Sequence, residues 1–468
     1  MSTSGSRVRR RSRTTIGQRL RTVAPPVVAA ILLGVAFLLP DGSDAERPPG
    51  PVSVARSTYA CPAGDGISVA AGQVVAGTSA SAKSLPDRTA LDALGDATAW
   101  RRDKVDASGV IVDQEGRGSG AVGFFGQRAG KAAGGGLVVG SCPPTVDESW
   151  YVGAGSGGKH LSTLLLTNLS SSPAVADVSF WGPQGKIDAI DAEGIVVDPF
   201  TVRRVDLRDL AAGEADLAVR VERRRGSLAV AALDSSTAVF GGTDALDTTA
   251  APSRDQVVAG MPAGSGTRTL MLVNPSTSTA RVAVQVIGPK GKFAPKGLDS
   301  VKVDAGRFTE VTVPQSAGKD GAALWLRSDQ PVAASVRVAP GTKDRAVVEA
   351  TPVLDGSAVV PVDLGIGTGV PELVLTARGR AGRVRLEAFD EQMRSQATAD
   401  VSVEADTTKT VDLGSAKVLD AEDFAYVMVR AGGDVVGAAT YRGGSGIASL
   451  GLTEAPITVL GPQVRPFS

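Results

Sequence analysis

The residues that ordinarily carry chemistry are few in this chain of 468 residues, and they lie far apart. His160, in the run Gly155-Ser-Gly-Gly-Lys-His160, is the only imidazole, and Cys61 and Cys142 are the only thiols. A zinc or iron–sulfur centre needs about four His or Cys ligands, so neither can be assembled. A Ser–His–Asp hydrolase would have to use His160, and the sequence nominates neither a nucleophile nor an orienting carboxylate beside it. The glycine-rich run also lacks the Gly-Lys-Ser/Thr and the following helix of a phosphate cradle. His160 therefore reads as a solvated loop residue. Acid pairs such as Asp188/Asp191 and Asp390/Glu391 have the composition of a glycosidase site. With 49 acids in the chain, such pairs arise by chance. No Asp-x-Asp-x-Asp-Gly run marks a calcium loop. No catalytic, cofactor or metal residue is assigned, and a chain that is not an enzyme is expected.

Binding chemistry leaves three traces. Trp150, Tyr151 and Trp181 are the aromatic residues that cluster enough to offer a sugar a platform, and they form the candidate ligand surface; the same residues would serve equally as core. The chain has two asparagines, Asn168 and Asn274, each where a strand runs into a Ser-rich turn. An Asx-turn explains them without a ligand. The run Glu222-Arg223-Arg224-Arg225 reads as a charged hairpin tip, which blocks edge pairing and is a weaker candidate for contact with an acidic polymer.

The elements that must position these residues are strands. Thr163-Leu-Leu-Leu-Thr-Asn168 is followed fourteen residues on by Gly182-Pro-Gln-Gly-Lys186, and Thr269-Leu-Met-Leu-Val-Asn274 by Gly288-Pro-Lys-Gly-Lys292 at the same spacing. Val197-Asp198 and Val205 correspond likewise to Val303-Asp304 and Val311, at a constant offset of 106 residues. That offset marks a duplicated domain rather than a short solenoid repeat. A diverged third copy carries Glu372-Leu-Val-Leu-Thr376, then Val384–Phe389, with Val403 and Val411 again eight apart. Each copy closes on two apolar runs that read as a hairpin: Asp216–Val221 with Ser227–Ala232, Ala322–Leu326 with Val332–Val336, and Phe424–Val429 with Val435–Thr440. Apolar and polar residues alternate in Val178-Ser-Phe-Trp and Val282-Ala-Val-Gln-Val-Ile, so one face is buried and the other wet. Short strands between Gly, Pro and Asp turns, in copies of roughly 100 residues, predict antiparallel immunoglobulin-like sandwiches. Helical periodicity of useful length is confined to 87–94 and 415–424. With 19 aromatic residues in all, the cores must be Val, Leu and Ala.

Seven arginines and no acid precede residue 41, although the whole chain balances 49 basic against 49 acidic residues. The rest therefore carries 42 basic and 49 acidic residues, a net charge of −7, which argues against nucleic acid as a partner. Behind the arginines lies the uncharged stretch Val23–Leu39, at the short end of what spans a bilayer as a helix. The arginines predict a cytoplasmic N-terminus and export of everything beyond. The segment is a signal-anchor, which is preferred, or a signal peptide cut after Ala45. In an exported protein the lone pair Cys61 and Cys142 is expected to form a disulfide, whose long loop would stabilise the fold by roughly 4 kcal/mol.

The pairing of Tyr59-Ala-Cys-Pro62 with Gly140-Ser-Cys-Pro143, then Trp150-Tyr-Val-Gly153 and Leu166-Thr-Asn168, resembles the actinobacterial exported proteins grouped as domain of unknown function 5719. The resemblance covers approximately residues 55–460. It implies an exported, β-rich envelope protein and carries over no activity and no catalytic residue.

The expected organisation is a basic cytoplasmic tail (1–22), a transmembrane signal-anchor or signal-peptide segment (23–40) and a linker (41–56). A disulfide-stapled β module (57–148) follows, then copy 1 (149–250), copy 2 (251–355) and copy 3 (356–468). The fold class is all-β, with tandem immunoglobulin-like modules after an N-terminal hydrophobic helix. The expected role is a membrane-anchored or secreted envelope scaffold or interaction protein, with a cell-envelope protein as partner. The alternative is an accessory module that binds cell-wall polysaccharide.

Overall fold

The computed structural model describes residues 51–460, apart from 54–55, 65, 74–78, 92–99, 116–120, 131–134, 238–240, 340–343, 416, 421–422 and 456–457. The arginine-rich tail, the apolar segment 23–40 and the cleavage point at Ala45 lie outside the described residues. Among the described residues no helix is long and apolar enough to cross a membrane.

The described chain is all-β and its strands pair antiparallel. Among the described residues, helix amounts to the single turn Leu207–Leu210 and the 3-10 turns Ile190–Ala192 and Gln315–Ala317. The described parts of 87–94 and 415–424 are turn, coil and a β-bridge, not helix. Alternation explains the strands. Val282, Val284 and Val286 are fully buried while Ala283 and Gln285 between them are partly exposed, because successive side chains leave a strand on opposite faces.

The offset of 106 residues is an offset of geometry as well as of sequence. Phe180 sits opposite Ile187 and Val286 opposite Phe293; Ala174 faces Val197 and Ala280 faces Val303. Thr163 pairs with Asp206 as Thr269 pairs with Thr312.

The two apolar runs that close each copy do not form a hairpin. In copy 1 Leu217–Arg225 pairs with Ala174–Gly182 and Glu148–Ala154, whereas Leu228–Ser236 pairs with His160–Asn168 and Gly242–Leu246. The chain changes sheet at Gly226, whose backbone (φ +84°) comes so close to Ala174 that a Cβ would lie 2.7 Å from its Cα. In copy 2 one unbroken strand, Ala322–Ala339, makes the crossing. Its first part pairs with Ser253–Met261 and Ala280–Gly288, its second with Thr267–Asn274 and Ala346–Glu349. Copy 3 repeats the crossing with Tyr426–Gly432 and Val435–Gly443. Crossing gives each sheet one of the two runs in an interior position, where both edges are hydrogen-bonded; a hairpin would put both in one sheet. The two sheets of copy 1 then share one buried cluster containing Tyr151, Leu164, Leu166, Phe180, Val219 and Val230.

Cys61 and Cys142 are joined by a disulfide with an S–S distance of 2.06 Å. Gly123 makes room for it, since a Cβ there would stand 3.0–3.1 Å from both sulfurs. This stapled module does not stand apart from the copies. Trp100 stacks on Tyr426 of copy 3 with ring centroids 5.0 Å apart, and its amide donates to the Glu391 carbonyl at 2.7 Å. Arg128 donates to the carbonyls of Ile366, Gly367 and Gly443 at 2.9–3.2 Å. Leu137 and Val139 belong to the same core cluster as Leu373 and Val427. The face of copy 2 opposite its own core is also covered, with Val257, Ala259, Ile287 and Ala323 meeting Val436. Gly260 (φ +90°) permits that contact, because a Cβ there would lie 2.2 Å from that of Ala438. Ser53–Val459 is accordingly one compact unit.

Candidate functional site

Strand His160–Asn168 carries His160, Ser162, Leu164 and Leu166 on one face by its two-residue period. The leucines enter the core of copy 1. The polar pair at the strand's end meets Asp234, placed opposite Ser162 by the register of Leu228–Ser236. Asp234 is fully buried and its carboxylate accepts from three donors. His160 Nε2 (2.8 Å) and Ser162 Oγ (2.5 Å) reach Oδ1, and Arg345 bonds Oδ2. His160 Nδ1 faces the Ala215 carbonyl at 2.5 Å and Asp216 Oδ1 at 3.2 Å. Asp216 also holds Arg337, which lies 3.3 Å from Glu310 Oε1. His160, Ser162, Asp216 and Asp234 come from copy 1, whereas Arg337 and Arg345 come from copy 2.

His160 is thus 7% exposed and bonded on both ring nitrogens, not a solvated loop residue. Its neighbours dictate its charge. Burial pushes the imidazole down, but the Asp234 charge and the bonds to Asp216 and Asp234 outweigh it and raise the pKa to about 9. Burial would raise Asp234, yet the Arg345 and His160 charges hold it well below the usual carboxylate range. The bond from His160 and the charge of Arg337 likewise lower Asp216 against its burial. A ring facing acceptors on both sides donates twice and has no lone pair for a proton. Ser162 donates to Asp234 and accepts from the Gly155 amide at 2.9 Å, so His160 does not activate it. The arrangement is a fixed cation beside a cavity, not an acid–base couple.

That cavity has a volume of about 510 Å³, with walls that include Gly157, Gly158, Lys159, His160, Asp216, Thr267, Thr269, Arg337 and Arg345. The sequence carried a signal for this group that its glycines obscured. Asp234 continues the buried phase of Leu228, Val230 and Ala232, and an acid in step with a core face needs a partner.

The three aromatics of the candidate ligand surface are not an exposed platform. Trp150, Tyr151 and Trp181 are 4%, 1% and 5% exposed. Trp150 and Trp181 stack on each other with centroids 4.9 Å apart, flanked by Arg220 and Lys186. Tyr151 points between the sheets and donates to the Val230 carbonyl at 2.8 Å. Trp150 and Tyr151 do line a second cavity of about 350 Å³, together with Phe124, Phe125 and Asp247. Burial, opposed by bonds from Ser141, raises Asp247 to about 7.

Asn168 and Asn274 are both fully buried and make the same bonds. Asn168 donates to the carbonyls of Ser172 and Val197 (2.8 and 3.0 Å) and accepts from the Ser170 amide and hydroxyl (2.9 and 2.8 Å). Asn274 repeats this with Ser278, Val303 and Ser276. They are Asx-turns, with no face toward a ligand. The arginines after Glu222 end a strand instead of tipping a hairpin, and two of them are paired, Arg223 with Asp147 and Arg224 with Asp177. Among the described residues no three His, Cys, Asp or Glu side chains are grouped to hold a metal ion.

A model of the family of unknown function DUF5719 matches residues 101–414, a span that includes Cys142 and the whole His160 group but not Cys61. No curated protein and no solved structure shows a significant match to the chain.

Proposed function

Because the chain belongs to DUF5719, a family of unknown function, its role must be argued from geometry, and we propose a non-enzymatic scaffold or interaction protein of the cell envelope. In this reading the two-sheet units are immunoglobulin-like sandwiches over 149–250, 251–355 and 356–468, held outside the membrane by segment 23–40. The observation that supports it is the interlocking of modules distant in sequence. A string of independent modules needs no bonds between its first and last members, yet Arg128 spans them at the surface, and in the interior Asp344 of copy 2 accepts the amides of Leu137 and Ile447 at 3.0 and 2.9 Å. Such bonds hold surfaces of several modules in one fixed relation, which suits presentation to a partner. Fold alone does not argue for binding over catalysis. The doubly bonded His160 adds that argument, since the one imidazole is committed to structure.

The alternative, an accessory module for cell-wall polysaccharide, loses its aromatic platform to burial. Photo-crosslinking from exposed positions of the full-length protein in intact cells, set beside its co-sedimentation with purified cell wall, separates the two. The scaffold reading expects discrete cross-links to envelope proteins and no saturable sedimentation with wall. Saturable sedimentation without protein cross-links transfers the function to the glycan-binding alternative.

A further inference from the structure

We propose that the cavity between copies 1 and 2 binds one oxyanion, a carboxylate or a phosphate, carried by a small hydroxylated molecule. This goes beyond the scaffold role and does not depend on it. The volume of about 510 Å³ lies in the range of small-molecule sites. The charged residues on its wall are Lys159, His160, Arg337 and Arg345 against a single acid, Asp216. Behind them Asp234, Glu310 and Asp344 add three carboxylates, so His160, Arg337 and Arg345 each have an acid against them, whereas Lys159 on the wall forms no ion pair among the described residues. Asp344, next in the chain to Arg345, is bonded to backbone amides of Leu137 and Ile447. His160 and Arg345 are 7% and 4% exposed, so their field is poorly screened by water. Thr267 and Thr269 also line the wall, which suits a ligand that carries hydroxyls.

The duplication supplies the comparison. At the offset of 106 residues Ser162 becomes Arg268, and Gly158, His160 and Ala212 become Gly264, Gly266 and Gly318. In copy 2 the fully buried Arg268 packs its guanidinium against the backbone at these positions. It donates to the carbonyls of Gly266, Pro262, Gly264 and Gly318 at 2.6–3.4 Å. Gly318 is needed there, since a Cβ would lie 2.1 Å from Arg268 Nε. The same frame therefore closes over its own side chain in copy 2. In copy 1 it keeps a cavity and borrows two guanidinium groups from its neighbour. The buried Asp234 accounts for His160 and Arg345, but not for the open cavity with Lys159 on its wall, and a ligand accounts for that. Arginine is the side chain suited to carboxylate and phosphate, because its fork matches their oxygens.

Titration calorimetry of the full-length protein in mild detergent tests this, with D-glucuronate, D-glucose 6-phosphate, inorganic phosphate and neutral D-glucose as probes. One-to-one binding of glucuronate, or of glucose 6-phosphate and phosphate, is expected, with no heat from glucose. The first result identifies a carboxylate source and the second a phosphate source. Lys159→Glu, at an exposed turn, should weaken binding at least tenfold with unchanged circular dichroism. Arg345→Met should abolish it, and if that variant fails to fold, Lys159→Glu decides alone. Silence from all three anions, equal binding of glucose, or unchanged affinity in Lys159→Glu overturns the proposal.

Discussion

Burial strips the proton from most histidines, because the neutral ring survives the loss of water better than the cation does. At His160 two carboxylates reverse this and bring the pKa to about 9. The unfolded value is near 6.5, so the stabilisation is complete below about pH 6.5 and is lost as pH rises through 9. The shift corresponds to roughly 3 kcal/mol. His160→Gln, which cannot carry the charge, should lose most of this at pH 6. Its stability should then fall less steeply between pH 6.5 and 9 than that of the wild type, since the buried carboxyls of Asp244, Asp247 and Glu349, all raised by burial, titrate in both. Urea denaturation at a series of pH values measures both slopes, and equal slopes would show that His160 is not an imidazolium. The sequence placed this residue in solvent because Gly155, Gly157 and Gly158 look like loop. The strand begins at His160 itself, and its partners lie 56 and 74 residues on at Asp216 and Asp234, with Arg345 of another copy on the far side of Asp234. No local pattern joins residues across that distance.

Elements were the most legible level. Alternation placed the strands of all three copies, and the offset of 106 residues held down to single hydrogen bonds at Asn168 and Asn274. Each asparagine satisfies buried backbone carbonyls that have lost their sheet partners at a strand end. Removing the amide leaves those groups unpaired, at about 1–3 kcal/mol for each group. Asn168→Ala and Asn274→Ala should each destabilise the protein by about 2–3 kcal/mol and by similar amounts. Chemical denaturation of the two variants checks this; a large loss in one beside none in the other would break the structural equivalence of the copies. What the strand pattern did not reveal was pairing. Two adjacent apolar runs read the same whether they form a hairpin or cross between sheets. The crossing at Gly226 gives each sheet one of the two runs as an interior strand.

At the scale of the whole molecule the sequence reads as a stapled module (57–148) and three copies in chain order, with nothing in it to say how they touch. The structure supplies the contacts of Trp100, Arg128 and Leu137 with copy 3. These contacts join residues more than 230 positions apart, and single-residue chemistry does not announce them. Their consequence is that the disulfide supports more than its own module. Without it the unfolded chain regains the freedom of an 81-residue separation, roughly 4 kcal/mol on the chain-entropy model. The sheets that hold Leu137 and Val139 against copy 3 then weaken together with it. The most direct measurement is hydrogen exchange, read by mass spectrometry, of the full-length protein with Cys61→Ser beside the wild type. One interlocked body predicts faster exchange in residues 57–141 and also in 357–451. Loss of protection confined to 57–148, with copy 3 exchanging as in the wild type, would contradict it.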